Sequence, residues 1–136
     1  MTDVSPLLTL GAVTVTTAAT QTTTPLTGLQ GLAGLSGFIR FAGTGGTSVD
    51  AYVQTSPDGG TTWADLYEAN FTASGVALFS LVNGASANLA LTDGTLASNT
   101  ALNAGAVPLF DQYRLKIKSV GTWVSGIVSA YVMPRG

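Results

Sequence analysis

The chain has 136 residues, 46% of them hydrophobic, with only 5 basic and 7 acidic side chains, where an ordinary soluble domain is roughly a quarter charged. Cys and His are both absent, which excludes disulfides, thiolate- or imidazole-bound zinc and every nucleophile–histidine pair, while a net charge of -2 argues against nucleic-acid binding. Charge this sparse does not cover the surface of an isolated globule, so part of that surface is expected to be buried against other chains.

The first residues are uncharged between Asp3 and Arg40. They lack the basic start of an export signal, and Thr, Gln, Gly and Pro interrupt any run long enough to span a bilayer. Synthesis in the cytoplasm without a signal peptide, and no membrane contact, are the expectations. Leu10 to Thr17 has the β-branched alternation of a strand. Glycines then recur every third residue at Gly28, Gly31, Gly34 and Gly37, followed by Leu29, Leu32, Leu35 and Phe38. Four triplets without a proline do not make a collagen helix, and this much glycine opposes an α-helix. Residues 1–37 are therefore expected to form a strand and an extended arm. This arm would pack on the domain or on a neighbouring subunit through Leu26, Leu29, Leu32 and Leu35, ahead of a sandwich core at 38–136.

From Phe38 onward, short strands alternate with turn chemistry. Phe38 to Phe41 and Ser48 to Thr55 are separated by Gly43-Thr44-Gly45-Gly46. Thr61 to Ala69 returns after Pro57-Asp58-Gly59-Gly60, and Val76 to Val82 ends at Asn83-Gly84. Ala87 to Thr92 is expected as a further strand, and residues 94–106 as loop. Leu109 to Val120 puts Tyr113, Leu115 and Ile117 on one face and Arg114, Lys116 and Lys118 on the other. Gly121-Thr122 reads as a hairpin. The return strand would carry Val124, Val128, Ala130 and Val132 on one side, with Trp123, Ser125, Ile127, Ser129 and Tyr131 opposite. Seven or eight strands without a helix predict an all-β, antiparallel two-sheet sandwich, of which the jelly roll is the commonest eight-stranded form.

The most specific motif is Ser56-Pro57-Asp58-Gly59-Gly60-Thr61-Thr62-Trp63, which resembles the Asp-box of sialidases and other β-proteins. Asp58 can accept the turn's own N–H groups, the glycines permit positive φ, and Trp63 can fold back over the hairpin. Ser56, Asp58, Gly60, Thr62 and Trp63 are thus structural candidates. One box in a chain of this length does not build a sialidase propeller. Asp50, Asp58, Asp65, Glu68, Asp93 and Asp111 form no evident catalytic pair, and most of them are expected to be solvated; calcium at the Asp-Gly turns has no acidic cluster behind it. The stripe Arg114, Lys116, Lys118 is either a solvated face or a contact for an acidic protein surface, and Trp123 with Tyr131 is either core or a partner patch. No catalytic residue, cofactor or metal is expected.

The segment Val49-Asp50-Ala51-Tyr52-Val53-Gln54-Thr55-Ser56, running into the Asp-box-like turn, is similar to one that recurs in small virion proteins of tailed bacteriophages. Length, composition and strand pattern resemble a capsid cement, or decoration, protein of the jelly-roll kind. The resemblance implies non-enzymatic work on the outer capsid surface of a virion, with the major capsid protein as partner and a homo-oligomeric state, a dimer before a trimer. A head–tail or tail component, and a carbohydrate-binding sandwich using Trp63, Trp123 or tyrosines as platforms, are the alternatives.

Overall fold

The computed structural model describes residues 7–84 and 89–136. Eight principal strands and two short ones make two sheets: β1 (Leu8–Val15), β2 (Ala19–Thr22), β3 (Gly34–Thr44), β4 (Ser48–Ser56), β5 (Ala64–Phe71), β6 (Gly75–Asn83), β7 (Thr100–Ala101), β8 (Ala106–Val107), β9 (Gln112–Val120) and β10 (Val124–Arg135). One sheet has the order β1-β10-β3-β6-β8 and the other β2-β9-β4-β5-β7. All pairings are antiparallel except β6 with β8. The protein is an all-β sandwich in which β4 and β5 are consecutive partners and most other connections cross between the sheets.

Alternation explains the core. Val49, Ala51 and Val53 of β4, Leu115 and Ile117 of β9, Ile39 and Phe41 of β3, and Val128, Ala130 and Val132 of β10 all point inward and are buried. Phe41 sits at the centre of an aromatic group, 4.8 Å edge-on to Trp123 and 5.8 Å from Phe71.

The N-terminal block is woven into this body. β1 is an edge strand paired with β10, and the short β2, not anticipated from its four-residue Ala-Thr-Gln-Thr, pairs with β9. Beyond β2 the chain keeps following β9: Thr23 N–H donates to Leu115 O (3.0 Å), Leu26 exchanges bonds with Tyr113 (2.7 and 3.0 Å), and Leu29 N–H reaches Asp111 O (3.2 Å). Leu32 and Leu35 are core residues, and Leu26 and Leu29 pack on that core from the rim. These four leucines, expected as arm contacts, are therefore spent within their own sandwich. The strand expected from Phe38 starts earlier, at Gly34, because Gly34 and Gly37 lie in β3 with partners on both sides. At Gly37 a side chain would run into the Tyr131 carbonyl, so this triplet glycine serves close approach.

Three further expectations are corrected. Residues 87–88 of the strand expected at Ala87 to Thr92 lie outside the described residues, and 89–92 are irregular. The stretch 94–106 contains β7, a short 3-10 turn (Leu102–Gly105) and the start of β8. Gly121-Thr122 does not close a hairpin, since β9 and β10 belong to opposite sheets. A crossover and a hairpin demand the same alternation of the two flanking strands, so periodicity does not separate them. The last strand also changes phase. Between Val124 and Ile127 the register shifts, with Ser125 at φ 54°, so Trp123 is buried while Val124 and Ile127 are exposed.

Candidate functional site

The outer face of the β2-β9-β4-β5 sheet carries three cross-strand rows. Register places Lys118 beside Asp50 and Asn70, Lys116 beside Tyr52 and Glu68, and Arg114 beside Gln54 and Asp65. Period-2 alternation on β4 and β9 builds two columns of this array; on β5 the register shift opposite Val53 and Gln54 brings Asp65 and Glu68, three residues apart, to the same face, and the segment 92–99 lies over it.

Asp65, fully buried, is the anchor. Its carboxylate accepts from the backbone N–H groups of Gly94 (2.8 Å to both oxygens), Thr95 (3.0 Å) and Leu96 (3.2 Å), from the Thr92 hydroxyl (2.9 Å) and from Gln54 Nε2 (2.8 Å). Gln54 is equally buried and saturated: its amide also donates to Asp93 (2.7 Å), and its carbonyl accepts from Arg114 Nε (2.8 Å). Lys116 Nζ donates to Asp93 at 2.9 Å, and Lys118 Nζ donates to the Gly94 carbonyl. Burial raises the Asp93 carboxyl, but hydrogen bonds from Lys116 and Gln54, with the charges of Lys116 and Arg114, outweigh it and hold the group below its usual range.

The same face holds a carboxyl pair. Glu68, 1% exposed, accepts from Asn99 N–H (2.8 Å) and shares a hydrogen bond with Asp50, which in turn accepts from Asn70 Nδ2 (2.7 Å). Burial, and then the bond to Asp50, push the Glu68 carboxyl up to about 8. Two carboxyl groups can share a hydrogen bond only if one keeps a proton, which is why the contact with Asp50 raises Glu68. Tyr52 between them is pushed up to about 12, by burial and by the charges of Asp50, Glu68 and Asp65.

The basic stripe is therefore neither a solvated face nor a free contact. Arg114, Lys116 and Lys118 are spent holding the chain's own segment. Asp65 and Glu68, expected in solvent, are buried beneath it. Nothing in the sequence marks Gln54, Asp65, Glu68 and Asp93 as one cluster; polar residues alternate on β4 and β9, but the extra residue in β5 puts Asp65 out of phase with Glu68 and Asn70.

At the end of the same sheet, the Asp-box-like turn closes on itself. Gly60 N–H donates to Ser56 Oγ (2.8 Å), Ser56 Oγ to Asp58 (3.0 Å), Thr62 N–H to Asp58 (2.7 Å), and Trp63 Nε1 to the Gly60 carbonyl (3.0 Å). Gly59 and Gly60 have φ of 74° and 100°, which only glycine adopts without strain. Hydrogen bonds from the Thr62 side chain and backbone hold the Asp58 carboxyl below its ordinary range. Trp63 is buried, with the Arg114 guanidinium 4.3 Å from its ring centre.

Trp123 and Tyr131, expected to project together, are separated by the register shift. Trp123 lies inside against Phe41, and Tyr131 is half-exposed on the outer face of the other sheet, 5.1 Å from Phe38. Both tryptophans that a carbohydrate platform would use are thus covered. Compared with protein-family models and with curated proteins, the chain matches none.

That other sheet presents a different surface. Across its outer face, Tyr131, Phe38 and Leu78 stand in one cross-strand row, flanked by Val76, Val82, Ile127 and Met133. Leu78 is 76% exposed and Val76 and Val82 are 54% exposed. The five strands of this sheet contain two charged residues, Arg40 and Arg135, both exposed, and no carboxylate.

Proposed function

We propose that this chain is a non-enzymatic structural protein of a tailed-bacteriophage virion, which binds the outside of the icosahedral shell, bridges capsomers through the major capsid protein and stabilises the shell against internal DNA pressure. The observation that carries this reading is the exposed, nearly uncharged face of the β1-β10-β3-β6 sheet, an apolar surface of the kind monomers keep covered. The strand order supports it. The main strands read 1-10-3-6 facing 2-9-4-5, which we interpret as a jelly roll, the double-sheet form shared by many capsid domains. The Val49–Trp63 segment, on which the resemblance to phage virion proteins rests, ends in a turn closed by its own hydrogen bonds from Ser56 to Trp63, which suits a part that must survive in an assembled particle.

Cementing works by copy number: a modest free energy per bound subunit, repeated over a shell, raises the barrier to capsomer separation. Heating capsids with and without bound protein tests this. The expected result is DNA release at a higher temperature when the protein is bound. Equal release temperatures with the protein demonstrably on the shell would refute stabilisation.

A further inference from the structure

We propose that the outer face of the β1-β10-β3-β6 sheet docks a protein surface that is apolar at its centre and carries carboxylates opposite Arg40 and Arg135. The Tyr131–Phe38–Leu78 row is the centre of this face, in register across three strands. Aromatic and aliphatic side chains raised on a rigid sheet bind at low entropic cost, because the backbone beneath them is already ordered. Arg40 stands beside Phe38, its guanidinium carbon 5.8 Å from the ring centre, and Arg135 lies over Gly34 at the end of β3. The rest of the chain accounts for its other three basic residues internally, so these two arginines are the cations left facing outward among the described residues.

Charge selects the occupant. A second copy laid on this face would bring two more arginines and no carboxylate, burying cations without counter-ions, which is costly. A phosphate backbone would need more than two guanidinium groups on a chain whose net charge is -2. An acidic protein patch answers both arginines and leaves the apolar row to be covered. The assignment rests on the shell-binding reading for where such a patch is found, and it moves the docking surface to the sheet opposite the basic stripe.

The test uses shells of the bacteriophage that carries this chain, freed of it, and four proteins: wild type, Leu78→Glu, Arg40→Glu/Arg135→Glu, and Val120→Glu. Val120 is an exposed apolar residue at the end of β9, on the other sheet. Thermal melts establish that each is folded. Leu78→Glu is expected to weaken shell binding at least about tenfold. The double reversal should slow association and flatten its salt dependence, and Val120→Glu should bind as wild type does. Wild-type binding that neither face variant alters would overturn the docking face while leaving shell binding intact. Failure of the wild type itself to bind would overturn the shell reading and the acidic partner together. A wild-type dimer in sedimentation velocity that Leu78→Glu dissociates would overturn the acidic partner in favour of a second copy.

Discussion

The two sheets have similar inner faces and opposite outer ones. On β2-β9-β4-β5 three cations on β9 stand beside three carboxylates on β4 and β5, and the chain folds its own segment 92–99 over them. On β1-β10-β3-β6 the exposed positions are mostly apolar (Leu, Val, Ile, Phe, Tyr, Met and Ala), with Ser, Thr and two arginines, and no segment of the described chain covers the Tyr131–Phe38–Leu78 row. Polar groups under cover need partners in a fixed geometry, and the covering segment supplies them through backbone N–H groups as much as through side chains. An apolar face makes no such demand and can wait for a partner. In a protein with so few charges, concentrating most of them under one loop stabilises the fold and leaves the second face almost free of desolvation cost.

The sharpest way to break this comparison is to reverse the charged side. Strand alternation alone suggests that Arg114, Lys116 and Lys118 could all become Glu without harm, since Tyr113, Leu115 and Ile117 stay in the core. The structure says otherwise. Three new carboxylates would face Asp50, Asp65, Glu68 and Asp93, the Gln54 carbonyl would lose its donor, and the segment would lose its ties at Asp93 and Gly94. Partial exposure of Asp93 tempers the outer pair, yet loss of the buried contacts should cost about 3 kcal/mol or more, a large share of a typical domain's stability. Chemical denaturation measures it, and hydrogen exchange should show the segment around 92–99 opening first. A triple variant as stable as wild type would return the stripe to solvent.

A smaller effect comes from the shared proton. Glu68 is raised from 4.5 to about 8 in the folded protein. Between those values the native state holds a proton that the unfolded chain has released, so stability falls as pH rises through that window and levels off above it. Asp93 acts in a separate window: its lowered carboxyl contributes stability that is lost only in acid. Glu68→Gln can still donate to Asp50 without titrating, and should flatten the decline between about pH 5 and pH 8. Melting temperatures for both proteins across that range decide the matter. Parallel curves would mean that no proton is shared there.

How much of this was legible beforehand depends on the range of the interaction. The β4–β5 turn could be read because its bonds join residues two to four apart, from Ser56 to Trp63. The inward faces of β9 and much of β10 were legible from alternation. The crossing from β9 to β10 was not, because alternation is blind to which sheet a strand joins, and the extra residue near Ser125 hid the burial of Trp123. The Asp65 cluster joins residues 54, 65, 93 and 114, whose proximity depends on the whole topology. Leu78 was visible only as part of an apolar run, Val76 to Val82, whose alternate residues prove to face outward.

The smallest expected effect completes the comparison on the bare side. Leu78 is the most exposed large apolar residue on its sheet, and its side chain fills no cavity. Leu78→Ser removes little buried surface, so its cost to stability should stay within about 0.5 kcal/mol, the range of ordinary surface changes, whereas an inward leucine such as Leu81 cut to Ala should cost about 2 to 5 kcal/mol. Leu78 and Leu81 lie three residues apart on one strand, one outward and one fully buried, so the pair isolates orientation from composition. Solubility supplies the second readout: replacing an exposed leucine with serine should reduce non-specific precipitation of the isolated protein at high concentration, as light scattering would show, with no change in its assembly state in dilute solution. A loss near that of Leu81→Ala would mean that Leu78 is covered within the chain, and the distinction between a self-covered face and an open one would fail at its centre.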